Sequence, residues 1–228
     1  MLAKIRAYKS PDDVETSLRY IEGHKKVLES YGVKQVTSAN HNWLYEENTY
    51  VVIIESEDGE RIFGGTRVQI RSENLKMPME DAIAKIDSNI YAYMDGIGDY
   101  KIAEFCGLFN SKEVAGFGIG SIFLGRIAIA IAANVGVKHL LGLCSPATLR
   151  NSLRVGFEIL RDLGNNGTFY YPKEGLIATA LIITDVVNLP NATEEERNRI
   201  LDLRHNPCQN AVEKGPKGEL EIIYDTRI

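Results

Sequence analysis

Three glycines at alternate positions, Gly116, Gly118 and Gly120, are followed by Ser121 and a long apolar segment. Glycines in a strand-to-helix turn let backbone N–H groups face a bound anion, and the following helix adds partial positive charge. The chemistry this suggests is a phosphate or pyrophosphate site formed by residues 116–121. The same glycines would also serve a tight turn and close packing, and spacing alone does not separate the two. A Walker loop is excluded, because no Gly-Lys-Ser/Thr triplet follows. A dinucleotide turn fits poorly: its third glycine would fall one place early, and no acid ends the next strand.

Two side chains flank this turn with chemistry of their own. Glu104 lies in the run 101–109, where Ala103 and Phe105 point to the opposite face. A buried carboxyl there could take a proton from an attacking amine, or could pair with a basic residue such as Arg126. Cys144 ends the run 138–144. As a nucleophile it would need a base, and His139 falls on the other face of the same strand. A small buried hydrophobe is the plainer role for Cys144. Tyr170, Tyr171 and Lys173 follow Gly164-Asn165-Asn166-Gly167 and could form a lid over an acceptor.

These residues need a scaffold. Residues 3–8 alternate as a half-buried strand, and Ser10-Pro11-Asp12-Asp13 offers a cap for a helix that Gly32 stops. Residues 50–55 and 61–70 read as a hairpin about the 57–60 turn, with a bulge expected at Gly64-Gly65. A short helix is expected over 79–86. Strand 101–109, the Gly-rich turn, the apolar helix and strand 138–144 form a βαβ crossover, which makes the two strands parallel neighbours. A helix then ends at Gly156-Phe157. The run 176–187 reads as a central strand, 192–203 as a helix capped by Thr193, and 219–224 as a last strand. No linker or repeat appears, so residues 1–228 read as one domain.

Totals narrow the partners. The 228 residues carry a formal net charge of -5, with 44% hydrophobic and 25% charged residues. That acidic balance argues against nucleic acid and anionic membranes as partners. The stretch 119–137 is too diluted by Arg126, glycine and Asn134 to be expected in a membrane. Cys106, Cys144 and Cys208 form no C-x-x-C pair, and the four histidines show no ligand spacing. No metal is expected, and a reducing cytoplasm is the expected setting.

Residues 104–185 resemble the GNAT acyltransferase superfamily. The likeness rests on the strand bearing Glu104, the turn Glu113-Val114-Ala115-Gly116-Phe117-Gly118, the helix and strand that follow, and Arg154-Val155-Gly156-Phe157. Weaker likenesses point within it. The stretch from Glu104 to Phe109 is similar to arginine succinyltransferases. The order of elements is similar to acyl-homoserine-lactone synthases. The resemblance implies an α/β (α+β) fold with a mixed, mostly antiparallel sheet flanked by helices and one parallel pair after the Gly-rich loop. It implies transfer of an acetyl or other acyl group from acyl-CoA, or an acyl-pantetheine carrier, to a small-molecule amine. On this basis Glu104 and Cys144 are the candidate catalytic residues. Phe109, Gly116, Phe117, Gly118, Ile119, Gly120 and Ser121 are the candidate donor-binding residues. The family usually has Arg or Gln where this chain has Glu113. A GNAT-like domain that binds a ligand or partner without catalysis is the alternative, and a homodimer is left open.

Overall fold

The computed structural model describes every residue except Met1, Gln35 and Asp99. Its strands are β1 (Leu2–Lys9), β2 (Thr49–Ser56), β3 (Ile62–Ile70), β4 (Ile102–Asn110), β5 (His139–Cys144), β6 (Glu158–Ile159), β7 (Thr168–Tyr170), β8 (Ile177–Ile183), β9 (Cys208–Gly215) and β10 (Gly218–Asp225). The helices are α1 (Val14–Ser30), α2 (Pro78–Ile83), α3 (Asn89–Gly96), α4 (Gly125–Asn134), α5 (Pro146–Arg154) and α6 (Glu194–His205). One sheet runs β6-β8-β5-β4-β3-β2-β1-β10-β9, with β7 also paired to β8.

The expected parallel pair is β4 with β5. A second one, not expected, joins β1 to β10. The chain reaches it after β8, when α6 crosses over α4 and the β9–β10 hairpin extends the far edge. Alternation along the strands divides the core between the two faces. On β2, Val52 and Ile54 join the cluster under α4, whereas Val51 and Ile53 pack towards α1. On β8, Leu181 and Ile183 take the α4 side, and Ala180 and Ile182 face the cluster built by α2 and α3.

Local corrections have local causes. Asp13, not Ser10, caps α1: its carboxylate accepts from Thr16 N at 3.0 Å. Ser10 instead turns inward and donates to the Leu44 carbonyl at 2.8 Å. Thr193 caps α6 as expected, accepting from Glu196 N. Arg126 does not meet Glu104. Its guanidinium lies on the α4 side and donates to Glu196 at 2.6 Å and Glu213 at 2.8 Å. These bonds tie α6 and β9 to α4. Among the described residues no helix is long and apolar enough to cross a membrane.

Candidate functional site

The main-chain half of the site begins where the β4–β5 pair stops. Its last rung is Phe105 with Gly142. Beyond it, β4 continues to Asn110 against β3, and β5 continues to Cys144 against β8. The two strands therefore diverge, leaving the β5 side of β4 beyond Phe105 without a strand partner. A bulge makes the divergence sharper. Between the pairs Gly65–Phe109 and Arg67–Cys106, β3 advances two residues and β4 three. The extra residue falls at Gly107, which has φ +64°. A side chain there would be strained and would run into the Tyr20 hydroxyl, which donates to the Gly107 carbonyl at 2.8 Å.

The Gly-rich turn closes the open end of this crevice. Gly118 has φ +84°, so the chain reverses into a π-helical stretch, Ile119–Leu124, that runs directly into α4. Among the described residues, the N–H groups of Gly116, Gly118, Ile119, Gly120 and Ser121 have no protein acceptor. They provide five donors around one turn, the arrangement that holds an oxyanion. Ile119 contributes only its main chain, because its side chain is buried in the core. The Ser121 hydroxyl accepts from Asn151 at 2.8 Å, which links the turn to α5.

Charge around the turn differs from what its sequence suggests. Glu113 pairs with Arg61 of the β2–β3 turn at 2.8 Å, and both groups are more than half exposed. The β9–β10 hairpin adds a cation that is distant in sequence. Lys217 N donates to the Gly116 carbonyl at 2.9 Å, and its methylenes fill the space where a Gly116 side chain would stand. No carboxylate pairs with Lys217 among the described residues.

Two expected residues sit differently. Phe109 does not line the turn: it is buried towards α1, stacked against His24 with ring centroids 5.8 Å apart. The bulge at Gly107 shifts alternation by one, so every later β4 side chain changes face. Cys144 does stand at the end of β5 beside the crevice, packed on the α4-side core. Burial pushes its thiol up to about 11, and the groups next to it are the hydroxyls of Thr148 and Ser152. Without a neighbouring base it remains a thiol at neutral pH, which suits a wall rather than a nucleophile.

The second half of the site lies on the opposite face and is made of side chains. Glu104 is 2% exposed, and its carboxylate accepts from Met79 N, at the start of α2, at 2.7 Å. Burial pushes the carboxyl up to about 8, against the opposing pull of the Met79 N–H and of Arg67. Beside it on β3, Arg67 is fully buried. It donates to the Ser38 carbonyl at 2.7 Å and twice to Gln69 Oε1, at 3.1 and 3.2 Å. Its guanidinium carbon lies 4.6 Å from the Trp43 ring centroid. Gln69 in turn donates to the Lys76 carbonyl at 2.8 Å.

Tyr171 closes this half from above. Its hydroxyl accepts from Thr37 N at 2.6 Å and bonds the Thr37 hydroxyl at 2.9 Å. Lys173 donates to the Gly32 carbonyl at 3.3 Å. The 171–173 segment, expected as a lid, thus reaches across to the loop after α1, while Tyr170 points to solvent. Arg67 and Gln69 lie outside the sequence-based expectation. The signal was faint: two polar residues on the same face of a strand whose only other polar residue is Thr66.

No family model matches the sequence, and no curated protein matches it. Solved structures do match. FeeM, an N-acyl amino acid synthase from uncultured soil microbes, is 15% identical, with a TM-score of 0.63 over 86% of this chain and 97% of its own. MesI, a CoA-dependent acyl-homoserine lactone synthase, is 15% identical, with a TM-score of 0.54 over 88% and 95%. Escherichia coli ElaA is 9% identical, with a TM-score of 0.54 over 79% and 98%. With its divergent parallel pair, bulged fourth strand and Gly-rich entry to the central helix, the chain has the GNAT fold.

Proposed function

We propose that this protein transfers an acyl group from a pantetheine thioester, acyl-CoA in the first instance, to a small amine. The observation that carries the reading is the pair of half-sites meeting at β4. Unsatisfied amides line one end of an open crevice, and a sealed carboxyl with a raised pKa stands on the other face of the same strand. The donor's phosphates fit the amides of Gly116, Gly118, Ile119, Gly120 and Ser121, with the exposed Lys217 beside them; the Phe117 N–H is taken by the Val114 carbonyl at 3.2 Å. The acyl arm fits between β4 and β5, with Cys144 as wall. Backbone groups of β4 beyond Phe105 are free to meet the thioester carbonyl oxygen as charge develops there. FeeM, an N-acyl amino acid synthase, and MesI, a CoA-dependent acyl-homoserine lactone synthase, have similar folds, which supports the same reading.

The chemistry balances with this chain's residues. Glu104 takes a proton from the acceptor ammonium, and the freed amine attacks the thioester carbon. A C–N bond forms, the C–S bond breaks, and the second nitrogen proton leaves with the departing sulfur as a thiol. A base titrating near 8 suits an amine that is protonated at neutral pH. No metal takes part in this proposal. A reducing, cytoplasmic setting suits three unpaired thiols.

Calorimetry with CoA, followed by a thiol-release assay with acetyl-CoA and longer acyl-CoAs over a panel of amines, tests the reading. CoA binding with amine-dependent thiol release is the expected result. Binding without release under any donor and amine would leave the non-catalytic alternative. Absence of CoA binding would remove the donor assignment.

A further inference from the structure

The geometry points to Tyr20, on α1, as a positioning residue: its hydroxyl aims and polarises the Gly107–Leu108 peptide, whose N–H meets the thioester carbonyl oxygen. This rests on the acyltransferase reading and assigns one part of the reaction to a single peptide and to the helix that holds it.

The register of β4 leaves this peptide unheld by any strand. The Arg71 N–H donates to the Ile102 carbonyl at 2.9 Å, which begins a series of hydrogen-bonded pairs ending at Arg67 and Cys106. The Ser111 N–H donates to the Phe63 carbonyl at 2.7 Å, which begins a second series ending at Gly65 and Phe109. By the alternation of an antiparallel ladder, Cys106 and Phe109 both turn their main-chain groups to β3. Gly107 and Leu108 fall between the two series, opposite Thr66 alone, and neither has a partner on β3 or β5. Their peptide stands just past the last β4–β5 rung, where the crevice opens.

Tyr20 supplies the hold that the strands do not. Its hydroxyl donates to the Gly107 carbonyl at 2.8 Å from the α1 side of the sheet. A trans peptide is planar and carries its N–H opposite to its C=O. With the carbonyl drawn towards α1, the Leu108 N–H points the other way, to the side of the Gly-rich turn and α4. The Thr66 hydroxyl fixes the neighbouring peptide, donating to the Cys106 carbonyl at 2.9 Å.

Both strands make room for this one contact. A Cβ at Gly107 would meet the Tyr20 hydroxyl, and one at Gly65 would lie 2.7 Å from Tyr20 Cδ2. The ring is buried and packs edge-on against Trp43, with centroids 5.9 Å apart. A phenylalanine would fill that space with no polar atom to satisfy, so packing alone does not account for the hydroxyl. Burial pushes the hydroxyl well above its usual range, against the pull of Arg67, so it remains a donor at any working pH. Arg67 Nη1 would stand 3.4 Å from the same Gly107 Cβ, which places a buried cation beside the donor. Hydrogen bonds in a chain polarise one another, so donation to the carbonyl strengthens the N–H of the same peptide. A donor fixed in advance stabilises charge as it develops on the thioester oxygen.

The test reads the thioester carbonyl itself. Acetyl-CoA labelled with carbon-13 at the carbonyl is bound without an amine. Its infrared band is recorded in the wild type, in Tyr20→Phe and in protein with fluorotyrosine at position 20. A stronger hydrogen bond lowers the band. The fluorinated phenol is the stronger donor, so its band should lie lowest, the wild type next and Tyr20→Phe highest. Thiol release should follow the same order in kcat. Loss of a whole oxyanion donor costs about 100- to 1,000-fold, and Tyr20→Phe removes only the support of one, so a fall of about 10-fold is expected. The Kd for CoA should change by less than about 3-fold, a negligible free-energy difference. If Tyr20→Phe fails to fold, the fluorinated protein, which keeps ring and hydroxyl, decides alone. One band position in all the folded proteins, or full turnover in folded Tyr20→Phe, would overturn the assignment and leave the acyltransferase reading standing. In a wild type that binds acetyl-CoA without releasing thiol, the acyltransferase reading fails and the band order alone decides on Tyr20. A wild type that does not bind acetyl-CoA would overturn both.

Discussion

The two halves of the site solve opposite problems. The proposed donor half, residues 116–121, presents main-chain amides on a surface turn, and its charged neighbours Arg61, Glu113 and Lys217 are exposed. The acceptor half places Glu104, Arg67 and Gln69 under cover, where each polar atom depends on a defined partner. Amides keep their charge pattern at any pH and tolerate changes nearby. Buried carboxyl and guanidinium groups shift one another, so a single change there alters chemistry, stability and pH response together. Comparable substitutions should therefore have very different effects in the two halves.

The largest effect is expected at Glu104. Glu104→Gln keeps the shape and removes the base, so turnover should fall by roughly 100- to 10,000-fold, the usual range for general acid–base catalysis. CoA binding, measured by calorimetry, should be unchanged, because the carboxyl lies away from the amides. In the wild type, kcat/KM should rise with pH towards a limb near 8, and the variant should lack that limb. Stability provides a second readout. Folding raises this pKa from 4.5 to about 8, so the native state holds the proton more tightly. The resulting stability is fully present below 4.5 and is lost as pH rises through 8. His24 acts in the other direction: burial lowers its pKa from 6.5 to about 4, so its contribution is lost as pH falls below 6.5. Between 6.5 and 8 only the Glu104 slope remains of the two, up to about 1.4 kcal/mol per pH unit. Denaturant melts should show stability falling with pH across that window in the wild type and flattening in Glu104→Gln. A flat wild-type profile would mean that the carboxyl is already ionised.

Between the halves in expected size is Arg126→Met, which acts through the scaffold. It leaves Glu196 and Glu213 buried without one of their cations. Loss of one partner from a buried pair costs about 3–5 kcal/mol. The low end is expected, because Glu196 keeps Arg154 at 2.7 Å and Glu213 keeps Arg199 at 2.8 Å. Urea melts should show the loss, and thiol release under conditions where the variant is folded should stay within a few fold. A large loss of turnover in folded protein would place Arg126 in the reaction after all.

The sequence made the two halves unequally legible. Glycines with a following apolar helix point to a tight turn that can present main-chain amides, because few other residues permit that turn. Most of the order of elements from β1 to α6 was readable for the same reason, through caps, glycines and periodicity, but α3 and the short strands β6 and β7 were not expected. The proposed acceptor half could be read only at Glu104 and, as a lid, at Tyr171. Its other parts, Thr37, Ser38, Arg67, Gln69 and Met79, come from three separate segments and meet only in the folded chain. The bulge at Gly107 was hidden inside an ordinary strand pattern, and it reversed the expected direction of Phe109. β9 went unseen because Cys-Gln-Asn-Ala-Val-Glu-Lys-Gly is polar, as an edge strand with mostly exposed residues can be. With β9 unseen, the parallel β1–β10 pair and the approach of Lys217 to the turn were out of reach.

The smallest effect is expected from Lys217, and it tests whether the donor half behaves as an exposed site. Lys217 meets the turn through its own main chain and methylenes, which leaves the ammonium free for a donor phosphate. Lys217→Ala should weaken CoA binding by about 2- to 5-fold, in keeping with the small worth of exposed ion pairs. Lys217→Glu should weaken it further, because a like charge then faces the anion. Pantetheine thioesters without phosphate should bind equally to all three proteins. Screening sharpens the point: the differences for CoA should shrink as salt rises from 0.01 to about 1 M, over which the Debye length falls from about 30 to 3 Å. A holo acyl-carrier protein can replace CoA in the same titration, to ask whether the phosphodiester of a carrier is met in the same way. An effect of Lys217→Ala that persists at high salt, or that extends to the phosphate-free thioester, would show that the hairpin shapes the turn rather than lending it charge.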